Sequence, residues 1–162
     1  MATSIHLHTE VKINGKWEHY GDPAVGYKYR MFAKMCGVRL DHEMKKMGIT
    51  PIDKPRGLPK DISEVTKFDL AKWKGDAHSQ SYLTAPEILL LEDFVRELHD
   101  KDMAEKKEEE AKTEQEEADS PFWNPEMIWG YLFGNSWGSF TKYPEEYANG
   151  LEDVRFVFWF DC

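Results

Sequence analysis

Cysteine is scarce in this chain. Cys36 and Cys162 are the two present among 162 residues, which excludes a disulfide framework and a C-x-x-C zinc set and fits a reducing compartment. No apolar run approaches the ~18 residues that a membrane span needs. Residues 1–10 lack the basic start and apolar stretch of a secretion signal, so a cytoplasmic location is expected and no membrane partner. Positive charge is also short: 21 Lys and Arg stand against 30 Asp and Glu, a net charge of −9. Affinity for a phosphate backbone comes largely from Lys and Arg displacing counterions, so nucleic acid is not an expected partner. Much of the deficit is local, because the segment from Asp100 to Asp119 alone contributes −6, and a small basic pocket elsewhere remains compatible with the composition.

What is present is one domain's worth of chain, 41% hydrophobic, with six Trp, seven Tyr and nine Phe. That length buries one core, and the core should be rich in aromatic rings. Ile5, Leu7, Val11 and Ile13 alternate with His6, His8, Glu10 and Lys12, the period of a half-buried strand. Asn14-Gly15 supplies the positive φ angles of a type I′ turn, so Lys16 to Tyr20 should return as the second strand of a hairpin. Tyr29, Phe32, Ala33 and Cys36 lie at helical spacing and Gly37 stops them. Pro51, Pro55, Gly57 and Pro59 forbid regular structure between Thr50 and Lys60, whereas Ile62 to Trp73 fits neither period cleanly.

Thr84-Ala85-Pro86-Glu87 reads as a helix start with a capping box, and Ile88, Leu91, Phe94, Val95 and Leu98 follow as an apolar stripe. Beyond Met103 the stripe ends, and residues from about 104 to 119 form either a water-exposed extension of the helix or a disordered acidic insertion. A short helix is expected near Asn124-Pro125, carrying Met127, Ile128, Tyr131 and Leu132. Val154 to Phe160 is nearly all β-branched or aromatic, as in a strand covered on both faces and therefore central. The expected fold is α+β: a small antiparallel sheet built from the N-terminal hairpin and the central C-terminal strand, with helices packed on one face.

Several chemical motifs fall short of a site. Gly134-Asn135-Ser136-Trp137-Gly138 matches a hydrolase nucleophile elbow, but no His follows His99 to act as the base, leaving a glycine-rich turn that exposes Trp137. His6 and His8 project from one strand face, a spacing used by metal sites, yet no local feature brings up a third ligand from Glu10, Asp76, His78 or Asp161. The bland reading is the polar outer face of an edge strand, and no metal or other cofactor is expected. His8-Thr9 and His78-Ser79 break the H-x-[ST] spacing of two-histidine phosphoesterases. Arg155 interrupts the apolar final strand and should either pair with an acid such as Asp153 or Glu10, or hold an anion. The acidic run could mimic nucleic acid, but its interleaved lysines weaken that reading.

The segments Val11–Tyr20, Arg56-Gly57-Leu58-Pro59, His78-Ser79-Gln80-Ser81 and Asp153–Asp161 together resemble small accessory proteins of tailed bacteriophages. The resemblance implies a bacterial host cytoplasm as the workplace and interference with host machinery or defence as the task. It carries no catalytic residues over. Gln80 stands where a second His would be expected after His78, which lowers the metal reading further. The expected function is non-catalytic binding, with the ligand either a nucleotide-like or other anionic small molecule or, alternatively, a host protein. A small hydrolase using the histidines is the remaining alternative. Trp17, His19, Trp137, Arg155 and Trp159 are the candidate ligand-binding residues, expected to converge where the two ends of the sheet meet.

Overall fold

The structure is a computed structural model that describes residues 2–23, 25–110 and 151–162. Its first elements are the strands β1 (Ser4–Ile13) and β2 (Lys16–Gly21). Asn14 and Gly15 join them at φ 51° and 76°, the left-handed pair that a type I′ turn requires and that Asn and Gly adopt most readily. The helices α1 (Tyr29–Cys36), α2 (His42–Lys46) and α3 (Glu64–Lys72) follow. Strand β3 (His78–Thr84) runs directly into the long helix α4 (Ala85–Glu110), and β4 (Leu151–Asp161) completes the fold. The four strands form one antiparallel sheet in the order β2-β1-β4-β3, so β4 is central, as its nearly continuous apolar run requires.

Strand pairing sorts the side chains into two unlike faces. Leu7 opposite Phe158, and Val11 opposite Val154, place one set on the face that joins the hydrophobic core. There Phe156, Phe158 and Phe160 meet Phe32 of α1 and Leu91 and Val95 of α4, and all of these are buried. Each fully buried side chain of this size contributes about 1.5–3 kcal/mol. The α4 stripe buries Ile88, Leu91, Val95 and Leu98. At its start Glu87 Oε1 accepts from the Thr84 N–H at 3.0 Å, as a capping box does. Helix α1 ends where Gly37 enters the left-handed region at φ 82° and its N–H returns to the Ala33 carbonyl.

On the opposite face β1 and β4 present His6, His8 and Glu10 beside Trp159, Val157 and Arg155. Helix α3 lies over part of this face: Asp69, Thr66 and Trp73 all contact β1 side chains. The sheet is thus covered by α1 and α4 on one side and by α3 on the other. This corrects the reading of β1 as an edge strand with a polar outer face. β1 lies between β2 and β4, with His8 3% and Glu10 0% exposed. The helical extension beyond Met103 continues through Glu110. The rest of the acidic segment and the helix expected near Asn124-Pro125 lie outside the described residues.

Candidate functional site

The second face of the sheet collects four of the five expected binding residues and uses them internally. Arg155 donates from Nε and Nη2 to Glu10 Oε1 at 2.9 and 2.8 Å and from Nη1 to Asp61 Oδ1 at 3.0 Å. Glu10 Oε2 in turn accepts from the Ser63 N–H at 2.7 Å and the Thr66 hydroxyl at 2.8 Å. A guanidinium that is 6% exposed and opposed by two carboxylates has its charge matched inside the protein, which is the structural reading of Arg155 with Glu10 as its partner. The hydrogen bond from Arg155 holds the Asp61 carboxyl below its usual range. Trp17 covers the guanidinium, with Arg155 Cζ 3.9 Å from the ring centroid.

The histidines of this face are tied up in the same way. His8 Nε2 donates to Asp69 Oδ2 at 2.8 Å, which fixes its tautomer and leaves Nδ1 to accept from His19 Nε2 at 3.0 Å. Burial, and then the neighbouring His8, push His19 below its ordinary value. His6 Nε2 donates to Asp161 Oδ2 at 2.6 Å and stacks with Trp159, which is 0% exposed. Among the described residues no group of three or more His, Cys, Asp or Glu side chains is arranged to hold a metal ion. A groove of about 480 Å³ does run past Trp17 and His19. However, Lys16 and Lys67 there are outnumbered by Glu18, Asp61 and Glu64, the wrong balance for an anion. Trp137 and the turn from Gly134 to Gly138 lie outside the described residues.

A larger cavity, about 690 Å³, opens at the other end of the sheet between the C-terminus of α1, the start of β3 and the end of β4. Three local departures from regular structure build it. After the Gly37 cap the chain turns through Arg39 at φ 61°, and in β3 Ser79 sits at φ 53°. Left-handed backbone costs a residue with a side chain roughly 1–2 kcal/mol. Besides Asn14 of the hairpin turn, Arg39 and Ser79 are the non-glycine residues in that region among those described, and both line this cavity. The third departure is a bulge: His78 pairs with Phe160 and Ser81 with Phe158, so β3 carries one extra residue between them. Such bulges re-aim side chains. The proline-rich loop docks on this one, with the Gly57 N–H donating to the Gln80 carbonyl at 2.8 Å.

The polar groups on the walls are oriented. Arg39 Nε donates to Thr3 Oγ1 at 2.7 Å, and its guanidinium lies 5.2 Å from the Tyr29 ring centroid, which fixes the side chain although the residue is exposed. His78 stacks on Phe160, with Nδ1 3.0 Å from Ser79 Oγ and Nε2 3.4 Å from Cys162 Sγ. Among the described residues lining the cavity, Arg39 is the one permanently charged side chain. Cys36 lines the same cavity from α1, and burial pushes its thiol up to about 11.

Sequence reasoning took His78-Ser79 as a failed phosphoesterase motif, His78 as a distant metal-ligand candidate and His78-Ser79-Gln80-Ser81 as part of the phage-like segments, and did not single out Arg39. The available signal was Gly37-Val38-Arg39 immediately after a helix stop, a place where the chain must change direction. Comparison with known proteins adds no further constraint: no family model, no curated protein and no solved structure matches this chain, and the functional reading rests on its own geometry.

Proposed function

We propose that this protein is a non-catalytic binder of a small anionic, nucleotide-like molecule, held in the cavity beside Arg39, and that it acts by sequestering that molecule. The supporting observation is the oriented guanidinium of Arg39 in a cavity of about 690 Å³ where no described lining residue carries a formal negative side chain. That volume lies within the range of small-molecule sites, and a few fixed polar groups on largely apolar walls are their usual composition. His78, Ser79 and Thr3 add hydrogen-bonding atoms to the walls of the same cavity. The strain at Arg39 and Ser79 fits the same reading, because costly backbone persists where the surrounding structure is built to hold side chains in place. The resemblance to phage accessory proteins gives the reading its biological sense: removal of a host defence signal in a bacterial cytoplasm. The internal pairing of Arg155 argues against the other face of the sheet as the anion site.

The test is a thermal-shift screen of nucleotide second messengers and simpler phosphates, followed by chromatography of the released ligand. A ligand that binds the folded state raises the melting temperature by mass action, about 2.7 kcal/mol of stabilisation at a hundredfold excess over Kd. Expected is a concentration-dependent shift and recovery of the ligand unchanged. No shift with any anion would transfer the function to the alternative of a host-protein partner, and recovery of an altered ligand would make the protein an enzyme.

A further inference from the structure

We infer that Cys162 and His78 form a thiol–imidazole pair that makes the cavity reactive toward small anions carrying an electrophilic carbon. The inference rests on the anion-binding reading of the cavity for its substrate class, but not for the reactivity of the thiol.

The argument starts from the hydrogen-bonding capacity of a neutral imidazole, one N–H donor and one acceptor nitrogen. His78 Nδ1 lies 3.0 Å from Ser79 Oγ and Nε2 lies 3.4 Å from Cys162 Sγ. With Nδ1–H donating to the serine oxygen, Nε2 is the acceptor and faces the thiol. Transfer of the thiol proton to Nε2 leaves an imidazolium whose Nδ1–H the serine oxygen still accepts. This is the arrangement of an activated nucleophile: an attacking atom, a base within reach and a third group orienting the base. The bulge in β3 and the left-handed Ser79 turn His78 toward the end of β4, so the pair is built into the backbone as well as the side chains. Cys162 is exposed and lines the same cavity as His78 and Arg39, and an accessible thiol beside an imidazole is a setting in which cysteines react. Cys36, in the same cavity wall, is buried and serves as the unreactive reference.

In the reaction, a sulfur lone pair forms the S–C bond, the bond from that carbon to its leaving group breaks, and the leaving group departs with the electron pair. The proton of the thiol stays on His78 Nε2. One equivalent of such an electrophile is captured per chain. Arg39 selects electrophiles that bear a carboxylate or phosphate.

The experiment compares iodoacetamide, which is neutral, with iodoacetate, which is an anion, by mass spectrometry of Cys162 and Cys36 over time in the native protein. Expected is alkylation of Cys162 by iodoacetamide faster than that of the same cysteine in the urea-unfolded chain, and at least about tenfold slower in the His78→Gln variant. Ser79→Ala, which keeps the imidazole, should give an intermediate rate and covers the case in which His78→Gln does not fold. Cys36 should react only after unfolding. Native Cys162 reacting no faster than in the unfolded chain, or equally fast in both variants, overturns the inference and leaves the anion reading standing. The substrate class is tested separately. Iodoacetate should gain on iodoacetamide in the native protein relative to the unfolded chain, and Arg39→Gln should abolish that gain, read as the ratio of the two rates within the same variant. Absence of the gain overturns the anionic class while the thiol pair stands.

Discussion

Arg155 and Arg39 sit on opposite sides of one small sheet and show two uses of the same side chain. Arg155 is 6% exposed, faces Glu10 and Asp61, and is covered by Trp17, so its charge is matched inside the protein. Arg39 is exposed, held by a threonine hydroxyl and a tyrosine ring, and lines a cavity with no formal negative side chain among the described residues. A buried cation paired across the fold serves stability; one exposed on a cavity wall is within reach of a ligand. The difference lies in the surroundings and not in the residue type.

The sharpest way to break the comparison is to remove Arg155's main partner. Glu10→Gln strands a buried guanidinium with only the more exposed Asp61 beside it, and breaking a buried pair in this way costs about 3–5 kcal/mol. Urea denaturation should show a large drop in midpoint, while anion binding by the protein that remains folded is unchanged. Arg39→Gln should do the reverse. Loss of a charge-assisted hydrogen bond of about 1.5–3 kcal/mol weakens the anion roughly tenfold or more, measured by titration calorimetry, with stability changed by less than about 1 kcal/mol.

Smaller effects separate the two sides by pH. Burial and His8 lower the pKa of His19 from 6.5, so as pH falls through that value the unfolded chain takes up a proton before the folded one does. Stability should therefore decline on acidification from about pH 6.5 and level off once the folded state also protonates. In His19→Phe this limb should be flatter, as followed by melting temperature against pH, with the cavity's ligand affinity untouched. The smallest effect belongs to Asp61, whose pKa the Arg155 hydrogen bond depresses from 3.8. Its contribution is present above that value and is lost as pH falls through the lower folded value. Asp61→Asn should remove that part of the acid limb, modestly, because the side chain is 67% exposed and solvent screens it.

The parts of the fold that were legible in the sequence are those whose signals are local. Asn14-Gly15 fixes a turn within two residues, Thr84 to Glu87 fixes a helix start, and the β4 run states its burial in its own composition. The ion pair of Arg155 was also legible, because a charge in an apolar strand demands a partner and Glu10 was among those available. Where the outcome depended on distant pairing, the sequence was mute. His8 and Glu10 became buried because β1 pairs with a strand whose residues lie some 145 positions away. Strand β3 was missed because His78-Ser79-Gln80-Ser81 carries no apolar alternation, and its bulge is defined only against β4. The cavity followed the same rule, since Arg39, His78 and Cys162 come from three separate segments.

The central claim is that the anion site lies at Arg39 and not on the Arg155 face. It is tested most directly by repeating the thermal-shift titration, with whichever anion stabilises the native protein, on Arg39→Gln and Trp17→Ala side by side. Trp17→Ala opens the groove over Arg155 while leaving Glu10 and Asp61 in place. The predicted result is loss of the ligand-dependent shift in Arg39→Gln and its full retention in Trp17→Ala. A shift that survives in Arg39→Gln and disappears in Trp17→Ala would place the ligand on the opposite face and contradict the account.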